Sequence, residues 1–283
     1  MPESILLCPV EEKFFEPEVK EGAEMFNRRK ALVGLDIGSQ WVKAVEFTQN
    51  KDSIVLTGFG RAAIQKQEGE EAVAKAVKEA LRRGGIKTRE VATAVCGRSV
   101  IVRYINMVPM SDEELRSALR FEADKYIPFD VDEVVLSCQR LDDDGQTFAE
   151  GEEKEMKVLL VAVKRSLIDS HIDLLTKIGL IPQVVDVDSF ATGNAFEFRL
   201  RNSPRVEDDD RVVGLIDIGA SKTTINILRG TTSHFSREIY LAGNDFTEAV
   251  SRRFGVDENE AERIKTDSEE NAEEVQEAVA SVI

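Results

Sequence analysis

Two copies of one short motif, an aspartate followed two residues later by a glycine, carry the clearest chemical signal in this sequence. The motif occurs at Asp36, Gly38 and Ser39 and again at Asp217, Gly219, Ala220 and Ser221. A glycine has no Cβ, so the backbone can turn sharply and a ligand can approach its amide groups. Backbone amides bind anions, and an adjacent carboxylate holds a hydrated cation. An isolated Asp-x-Gly is more often an ordinary turn, but two copies favour a site for phosphate and Mg²⁺.

Each copy of the motif lies between two apolar runs, which must position it. The runs that predict strands are 31–37 and 41–48 around the first copy and 212–218 and 223–229 around the second. An apolar run, a glycine turn and a second apolar run together predict a β-hairpin. A third strand is predicted after each hairpin, at 53–64 and at 234–240. This repeated order of three strands predicts an internal duplication.

An amphipathic helix is predicted after the first three strands, at 69–83. Its apolar positions are Val73, Ala76, Val77, Ala80 and Leu81. They recur every three or four residues, which is typical of one buried helix face. A strand at 91–96 follows, and later a helix at 166–178, a strand at 182–187 and a helix at 188–200. This alternation of strands and helices predicts an α/β fold.

The stretch at about 99–163 is interpreted as an insertion into the first half. Its predicted elements are a strand at 99–108, a helix at 112–126 and strands at 132–141 and 156–163. Ser111, followed three residues later by Glu114, is a capping-box pattern that predicts where the inserted helix begins. The same pattern predicts that the next helix is capped by Ser166 with Asp169. The insertion is therefore predicted to be a small α+β subdomain.

Three segments are predicted along the chain: a flexible N-terminal tail at 1–30, a first domain at 31–201 and a second domain at 202–283. The tail mixes prolines with acidic residues and shows no sustained periodicity. The second domain repeats the three strands and adds helices at about 245–254 and from Glu258 onward, but no later strand. We therefore expect the second domain to be incomplete at its C-terminal end.

The composition excludes several classes of function. The net charge of −16 argues against sequence-independent binding to nucleic acid, which requires Lys and Arg to neutralise phosphates, and against docking on anionic lipid. The longest apolar run, Val158 to Val163, is too short for a membrane-spanning helix. Cys8, Cys96 and Cys138 lack a C-x-x-C spacing, so reduced thiols are expected. We expect a cytoplasmic protein without direct membrane insertion and without a nucleic-acid partner.

The two hairpins resemble the phosphate loops of the actin-like ATPase superfamily, whose fold consists of duplicated ribonuclease H-like domains. The resemblance implies that Gly38 and Ser39 bind phosphate, with Lys43 at the spacing of the superfamily's phosphate-contacting lysine. It implies the same role for the backbone of Gly219 to Ser221. The resemblance therefore implies an α/β fold of two actin-like domains, with the α+β insertion in the first.

The same resemblance implies roles for five acidic and basic side chains. Asp36 and Asp217 would hold Mg²⁺ through water. Glu262 and Lys265 match an A-E-x-x-K pattern whose side chains contact the nucleotide ribose. Asp188 lies near the connecting motif and is a candidate catalytic residue that would orient an attacking water, although an acid at a helix start is usually a cap.

Within the superfamily, the sequence is most similar to the PilM family of type IV pilus assembly. The stretches that carry this resemblance are 34–39, 121–129 and 185–191. The resemblance implies ATP with Mg²⁺ in the cleft between the domains and weak ATPase activity at most. It also implies that the first half binds the cytoplasmic N-terminal peptide of the membrane protein PilN and, through it, the wider PilN/PilO complex at the inner membrane.

Two other functions stay open from the sequence. An FtsA-like cell-division filament protein would share the fold and the insertion, but its membrane-anchoring basic helix contrasts with the acidic stretch at 257–277. A small-molecule kinase would need a base such as Asp188 against a substrate hydroxyl. The superfamily's adenosine motif is a Gly-Gly turn before a late helix, and it has no counterpart in the second half of this sequence. The Gly-Gly pair at Gly84 and Gly85 lies in the first half, where it is explained as the end of the first helix.

Overall fold

The computed structural model describes residues 30–49, 53–65, 69–141, 155–201, 211–267 and 272–282. Within those residues the strands are β1 (Lys30–Ile37), β2 (Trp41–Gln49), β3 (Ile54–Ala63), β4 (Glu90–Val95), β5 (Val100–Met107), β6 (Val134–Arg140), β7 (Met156–Lys164), β8 (Ile181–Val187), β9 (Val212–Ile218), β10 (Thr223–Arg229) and β11 (Thr232–Ile239). The α-helices are α1 (Gly69–Arg83), α2 (Asp112–Glu122), α3 (Arg165–Lys177), α4 (Asp188–Arg201), α5 (Gly243–Phe254), α6 (Glu258–Thr266) and α7 (Ala272–Ala280).

The first motif forms the turn between β1 and β2. These strands pair antiparallel, and Gly38 N donates to Trp41 O at 3.0 Å to close the turn. The sheet has the order β3-β2-β1-β4-β8, with β4 and β8 added in parallel. Val33 and Val42 of the hairpin are fully buried in one core with Val77 of α1. The helix predicted at 69–83 is confirmed, because its apolar stripe packs on this sheet.

A second sheet, with the order β5-β7-β6, is formed by the chain between β4 and β8. Its strands pack on α2 through a separate core that includes Leu115, Leu119 and Leu160. The predicted capping box is confirmed, because Ser111 N donates to a Glu114 carboxylate oxygen at 2.8 Å and the reciprocal bond is also formed.

The inserted helix α2 ends earlier than the predicted residue 126. Its last turn is a 3-10 helix at Ala123–Lys125, in which Tyr126 N donates to Ala123 O at 2.8 Å. Pro128 disfavours a helical conformation at the preceding residue, so the chain leaves the α-helix before it.

A third sheet repeats the opening of the first one in the second half of the chain. Its order is β11-β10-β9, and all neighbours are antiparallel. Gly219 N donates to Lys222 O at 2.9 Å, which is the same hydrogen bond that closes the first hairpin. Helices α5, α6 and α7 form their own small core around Val250 and Ala261. The two hairpins can therefore be compared residue by residue.

Two predictions about the ends of elements have different outcomes. The cap predicted at Ser166 is wrong, because α3 begins directly after β7 and its N-cap residue is Lys164, whose side chain makes no capping hydrogen bond. The tail predicted at 1–30 falls almost wholly on residues outside those described. None of the helices within the described ranges has both the length and the apolar character that crossing a bilayer requires.

Candidate functional site

The two hairpin turns meet at the first turn of α5. We define loop 1 as residues 38–40 and loop 2 as residues 219–222. The Gln40 side chain donates to the Asn244 side-chain oxygen at 2.6 Å, and the Asn244 backbone N–H donates to Ala220 O at 2.7 Å. One residue of α5 therefore joins loop 1 to loop 2, although the loops lie in different halves of the chain.

Three glycines make this junction tight. A Cβ on Gly38 would lie 3.0 Å from Trp41 O, and a Cβ on Gly219 would lie 2.9 Å from Lys222 O. A Cβ on Gly243, which donates its N–H to Gly219 O, would lie 3.1 Å from that oxygen. Side chains at these positions would crowd the backbone, so the glycines keep the turns narrow. The three glycine N–H groups donate within the junction, so a phosphate here would rely on the backbone amides that follow the glycines in each loop.

The strands on either side of loop 1 bring two of the predicted residues together. Asp36 and Lys43 lie opposite each other in the hairpin, and the Lys43 ammonium is 3.0 Å from an Asp36 carboxylate oxygen. Their side chains are 60% and 55% exposed, so water screens the pair and the ion pair contributes little to stability. Both charges are accessible to a ligand that separates them.

The second hairpin differs from the first in the position of its lysine. Asp217, the counterpart of Asp36, is exposed and lies opposite Thr224 in the hairpin. The lysine of loop 2 is Lys222, which aligns with Trp41 because each accepts the hydrogen bond that closes its turn. Trp41 instead packs against Arg61, whose guanidinium carbon is 5.0 Å from the ring centre.

Lys222 lies in a partly buried ion-pair network that the sequence analysis missed. Its ammonium contacts Asp188 at the start of α4 and a Glu238 carboxylate oxygen of β11, the latter at 2.6 Å. The same Glu238 oxygen accepts the Gly97 N–H at 2.9 Å. The three charged side chains are between 18% and 27% exposed. Burial would lower the pKa of Lys222, but the bonds to Asp188 and Glu238 outweigh it, so the pKa is raised and the ammonium stays charged.

The candidate catalytic residue Asp188 is thus bound by a cation from the second half. One of its carboxylate oxygens also accepts the Ser189 N–H at 2.7 Å, within the first turn of α4. The Cys96 sulfur lies within 4.8 Å of the Asp188 and Glu238 carboxylates, and burial raises the pKa of this thiol. The Lys222 ammonium supplies the positive charge that this cluster needs. A role for Asp188 in orienting water stays a prediction.

The predicted ribose contacts lie beside the start of α5. Lys265 of α6 donates to Gly243 O at 3.1 Å and to the Thr247 hydroxyl at 2.8 Å, and it is 2.6 Å from a Glu262 carboxylate oxygen. Gly243 in turn contacts loop 2, as described above. The structure therefore brings Glu262 and Lys265 close to the second motif, and their contact with a ribose stays a prediction.

Asp186, two residues before Asp188, is a buried carboxyl that predicts a measurable pH effect. It is 7% exposed, its oxygens accept from Val187 N at 2.7 Å and from the Asn194 side chain at 3.1 Å, and burial raises its pKa to about 6. Its protonated form therefore stabilises the fold below about pH 4, and this stabilisation is lost as the pH rises through about 6.

We expect Asp186→Asn to raise the free energy of unfolding at pH 7.5 by about 1 to 3 kcal/mol, because no buried charge remains. The Asn194 amide can turn to present its oxygen to the new amide group. Urea denaturation at pH 4.5 and pH 7.5 should show a smaller gain at the lower pH, whereas the exposed Asp173→Asn should show no pH-dependent gain. An Asp186→Asn effect that is equal at both pH values would contradict this prediction.

Comparisons with known proteins extend over both hairpins and the inserted sheet. The family model described as type IV pilus assembly protein PilM matches residues 34–280. A solved "PilM-PilN type IV pilus biogenesis complex" is 31% identical with a TM-score of 0.76, covering 90% of this chain and 73% of that chain. This likeness confirms the predicted α/β, actin-like fold.

Two further solved structures are more distant. The cytoplasmic domain of EpsL, an inner-membrane component of the type II secretion system of Vibrio cholerae, is 16% identical with a TM-score of 0.45, covering 81% of this chain and 78% of that chain. The ethanolamine utilization protein EutJ from Carboxydothermus hydrogenoformans is 15% identical with a TM-score of 0.47, covering 89% of this chain and 67% of that chain.

Proposed function

Because the chain belongs to the PilM family of type IV pilus assembly proteins, we propose that it is an ATP-binding, actin-like scaffold of the pilus assembly complex. In this proposal the protein binds the cytoplasmic N-terminal peptide of PilN. Because PilN is a membrane protein, this binding holds the chain at the cytoplasmic face of the inner membrane. The similar solved structure is a PilM-PilN complex, which supports PilN as the partner. Hydrolysis of ATP is weak at most in this proposal.

The proposal that the chain binds a nucleotide rests on one observation, namely that loop 1 and loop 2 are both hydrogen-bonded to Asn244. A phosphate chain between the loops would contact the backbone of 38–39 and 219–221, with Lys43 adding positive charge. Asp36 and Asp217 would hold hydrated Mg²⁺. When bound, Mg²⁺ neutralises part of the phosphate charge, and this chain's own groups position the anion.

Ribose binding completes the proposed site. Glu262 and Lys265 are the proposed ribose contacts, since they lie beside Gly243 at the start of α5. The chain's residues therefore offer, in order, contacts for a sugar, for a phosphate chain and for a hydrated divalent cation. Asp188, which Lys222 engages, is poorly placed to act as a free base, and this supports a scaffold over a kinase.

A chain of buried and partly buried hydrogen bonds supports coupling between nucleotide and partner. The Tyr104 hydroxyl of the inserted sheet is 2.7 Å from the Ser233 hydroxyl of β11. Ser233 donates to the Asn226 side-chain oxygen at 2.6 Å, and Asn226 donates to Ser189 O at 2.8 Å. Movement of the second half on nucleotide binding would thus reach the inserted sheet and α4 directly, as in hinge closure around a ligand.

Isothermal titration tests this function. We expect the chain to bind Mg·ATP and a synthetic PilN N-terminal peptide, and each ligand to change the affinity for the other by about fivefold or more. The two factors must be equal, because coupling free energies are reciprocal. A peptide with the same composition in scrambled order is the control.

The titrations distinguish a failure of the nucleotide part of the proposal from a failure of the partner part. Binding of the peptide without binding of Mg·ATP would refute the nucleotide switch and leave a docking scaffold. Binding of Mg·ATP without binding of the peptide would refute the proposed partner.

A further inference from the structure

Each hairpin has a lysine that pairs with carboxylates, but the two sets of ion pairs differ in burial. Lys43 and Asp36 are both more than half exposed, whereas Lys222 and its two acidic partners are mostly buried. The exposed pair is easily separated in water. The buried ammonium leaves its carboxylates only for another strong anion, because an unpaired buried charge is costly.

The position of Lys222 along the proposed phosphate chain is set by its neighbours. The proposed ribose contact Lys265 bonds to Gly243, and Gly243 bonds to loop 2. The Lys222 side chain extends from loop 2 and contacts the start of α4 and β11. A nucleotide with its sugar at α6 and its phosphates along loop 2 would therefore place its last phosphate nearest to the Lys222 ammonium.

We propose that Lys222 is the residue that distinguishes a nucleoside triphosphate from a nucleoside diphosphate at this site. Without a ligand, its ammonium is held by Asp188 and Glu238. A terminal phosphate offers a denser negative charge and takes over the ammonium, whereas a diphosphate ends before it. This inference rests on the proposed nucleotide site and adds a specificity determinant to it.

The release of Lys222 also has a structural consequence. Glu238 of β11 accepts from Gly97 in the first half, and Asp188 begins α4, so the Lys222 ammonium links loop 2, β11 and α4. Transfer of the ammonium to a phosphate would leave the carboxylates of Asp188 and Glu238 without their cation, and this cost offsets part of the affinity gained from the terminal phosphate. The triphosphate form would then differ from the diphosphate form in the contacts between loop 2, β11 and α4.

Two substitutions with opposite expected effects test this inference. Lys222→Met should weaken Mg·ATP binding by about tenfold or more and change Mg·ADP binding by less than about twofold, because only the terminal phosphate loses a charged donor. Glu238→Gln keeps an acceptor for Gly97 but holds the ammonium less strongly, so it should strengthen Mg·ATP binding by about threefold or more. A purely structural ion pair would not give this gain.

Calorimetric titration of the wild-type full chain and of each variant with Mg·ATP and with Mg·ADP gives the affinities, and thermal melting of each variant without nucleotide reports its folding. Lys177→Met is the matched control, since it removes an exposed lysine that is 3.0 Å from a Glu70 carboxylate oxygen. Lys222→Arg, which keeps the charge, should retain the preference for the triphosphate.

Two results would overturn the inference. Equal losses of Mg·ATP and Mg·ADP binding in Lys222→Met would make Lys222 a general phosphate contact and leave the proposed function standing. A wild-type chain that binds neither nucleotide would overturn both the inference and the nucleotide part of the proposed function.

Discussion

Replacing Asp36 by alanine is expected to weaken the binding of Mg·ATP by about 100-fold or more, which corresponds to about 2.7 kcal/mol. The proposed role of this carboxylate is to hold the hydrated Mg²⁺ that accompanies the phosphates, and hard divalent cations depend on oxygen ligands of this kind. The substitution also frees Lys43, but an exposed ammonium returns to water at little cost. Folding should therefore be unaffected, with the free energy of unfolding within about 1 kcal/mol of wild type.

Calorimetric titration with Mg·ATP and urea denaturation of the same samples separate these two effects. Asp173→Ala, which removes an exposed aspartate of α3 far along the chain from both loops, is the matched control and should change neither quantity. Unchanged Mg·ATP affinity in Asp36→Ala would contradict the assignment of loop 1 as a phosphate and metal site. A large loss of stability would instead give Asp36 a structural role.

The elements that position the site were predictable because their signals are local. An apolar run, a glycine turn and another apolar run define a hairpin within a short stretch of sequence, and both hairpins form where they were predicted. The capping box of α2 is equally local, since Ser111 and Glu114 satisfy each other's backbone groups. The actin-like fold follows from the repetition of these units.

The ion-pair network of Lys222 could not be predicted in this way. Its members come from loop 2, the start of α4 and the end of β11 at the edge of the third sheet, and no spacing in the sequence relates Lys222 to Glu238. The one available signal was a lysine inside the second phosphate motif, where the first motif has Trp41. The contact of Gln40 with Asn244 is of the same kind, because it depends on how the two halves pack.

The failed cap at Ser166 shows how tertiary structure overrides a local signal. Ser166 and Asp169 have the spacing of a capping box, yet β7 passes into α3 without an intervening turn. Ser166 is then already inside the helix, and its carbonyl accepts from the Ser170 hydroxyl at 2.7 Å. The register of β7 in the inserted sheet fixes the start of the helix more strongly than one side-chain hydrogen bond does.

The close packing of α1 on the first sheet predicts the largest effect on stability, at Gly60. This residue of β3 faces α1, and a Cβ on it would lie 2.0 Å from Ala80 O and 2.6 Å from Gly84 N. Both atoms are backbone, so no side-chain rotation can relieve the clash, and α1 would have to move away from the sheet. We expect Gly60→Ala to lower the free energy of unfolding by about 3 kcal/mol or more.

Gly34→Ala provides the matched control for Gly60→Ala, because Gly34 lies in the same sheet and its nearest contact for a Cβ is 3.9 Å away. Its effect on the free energy of unfolding should stay within about 1 kcal/mol. Urea denaturation of the full chain measures both, and equal losses in the two variants would contradict the clash. Since α1 buries the same hairpin that carries loop 1, Gly60→Ala should also weaken Mg·ATP binding, whereas Gly34→Ala should not.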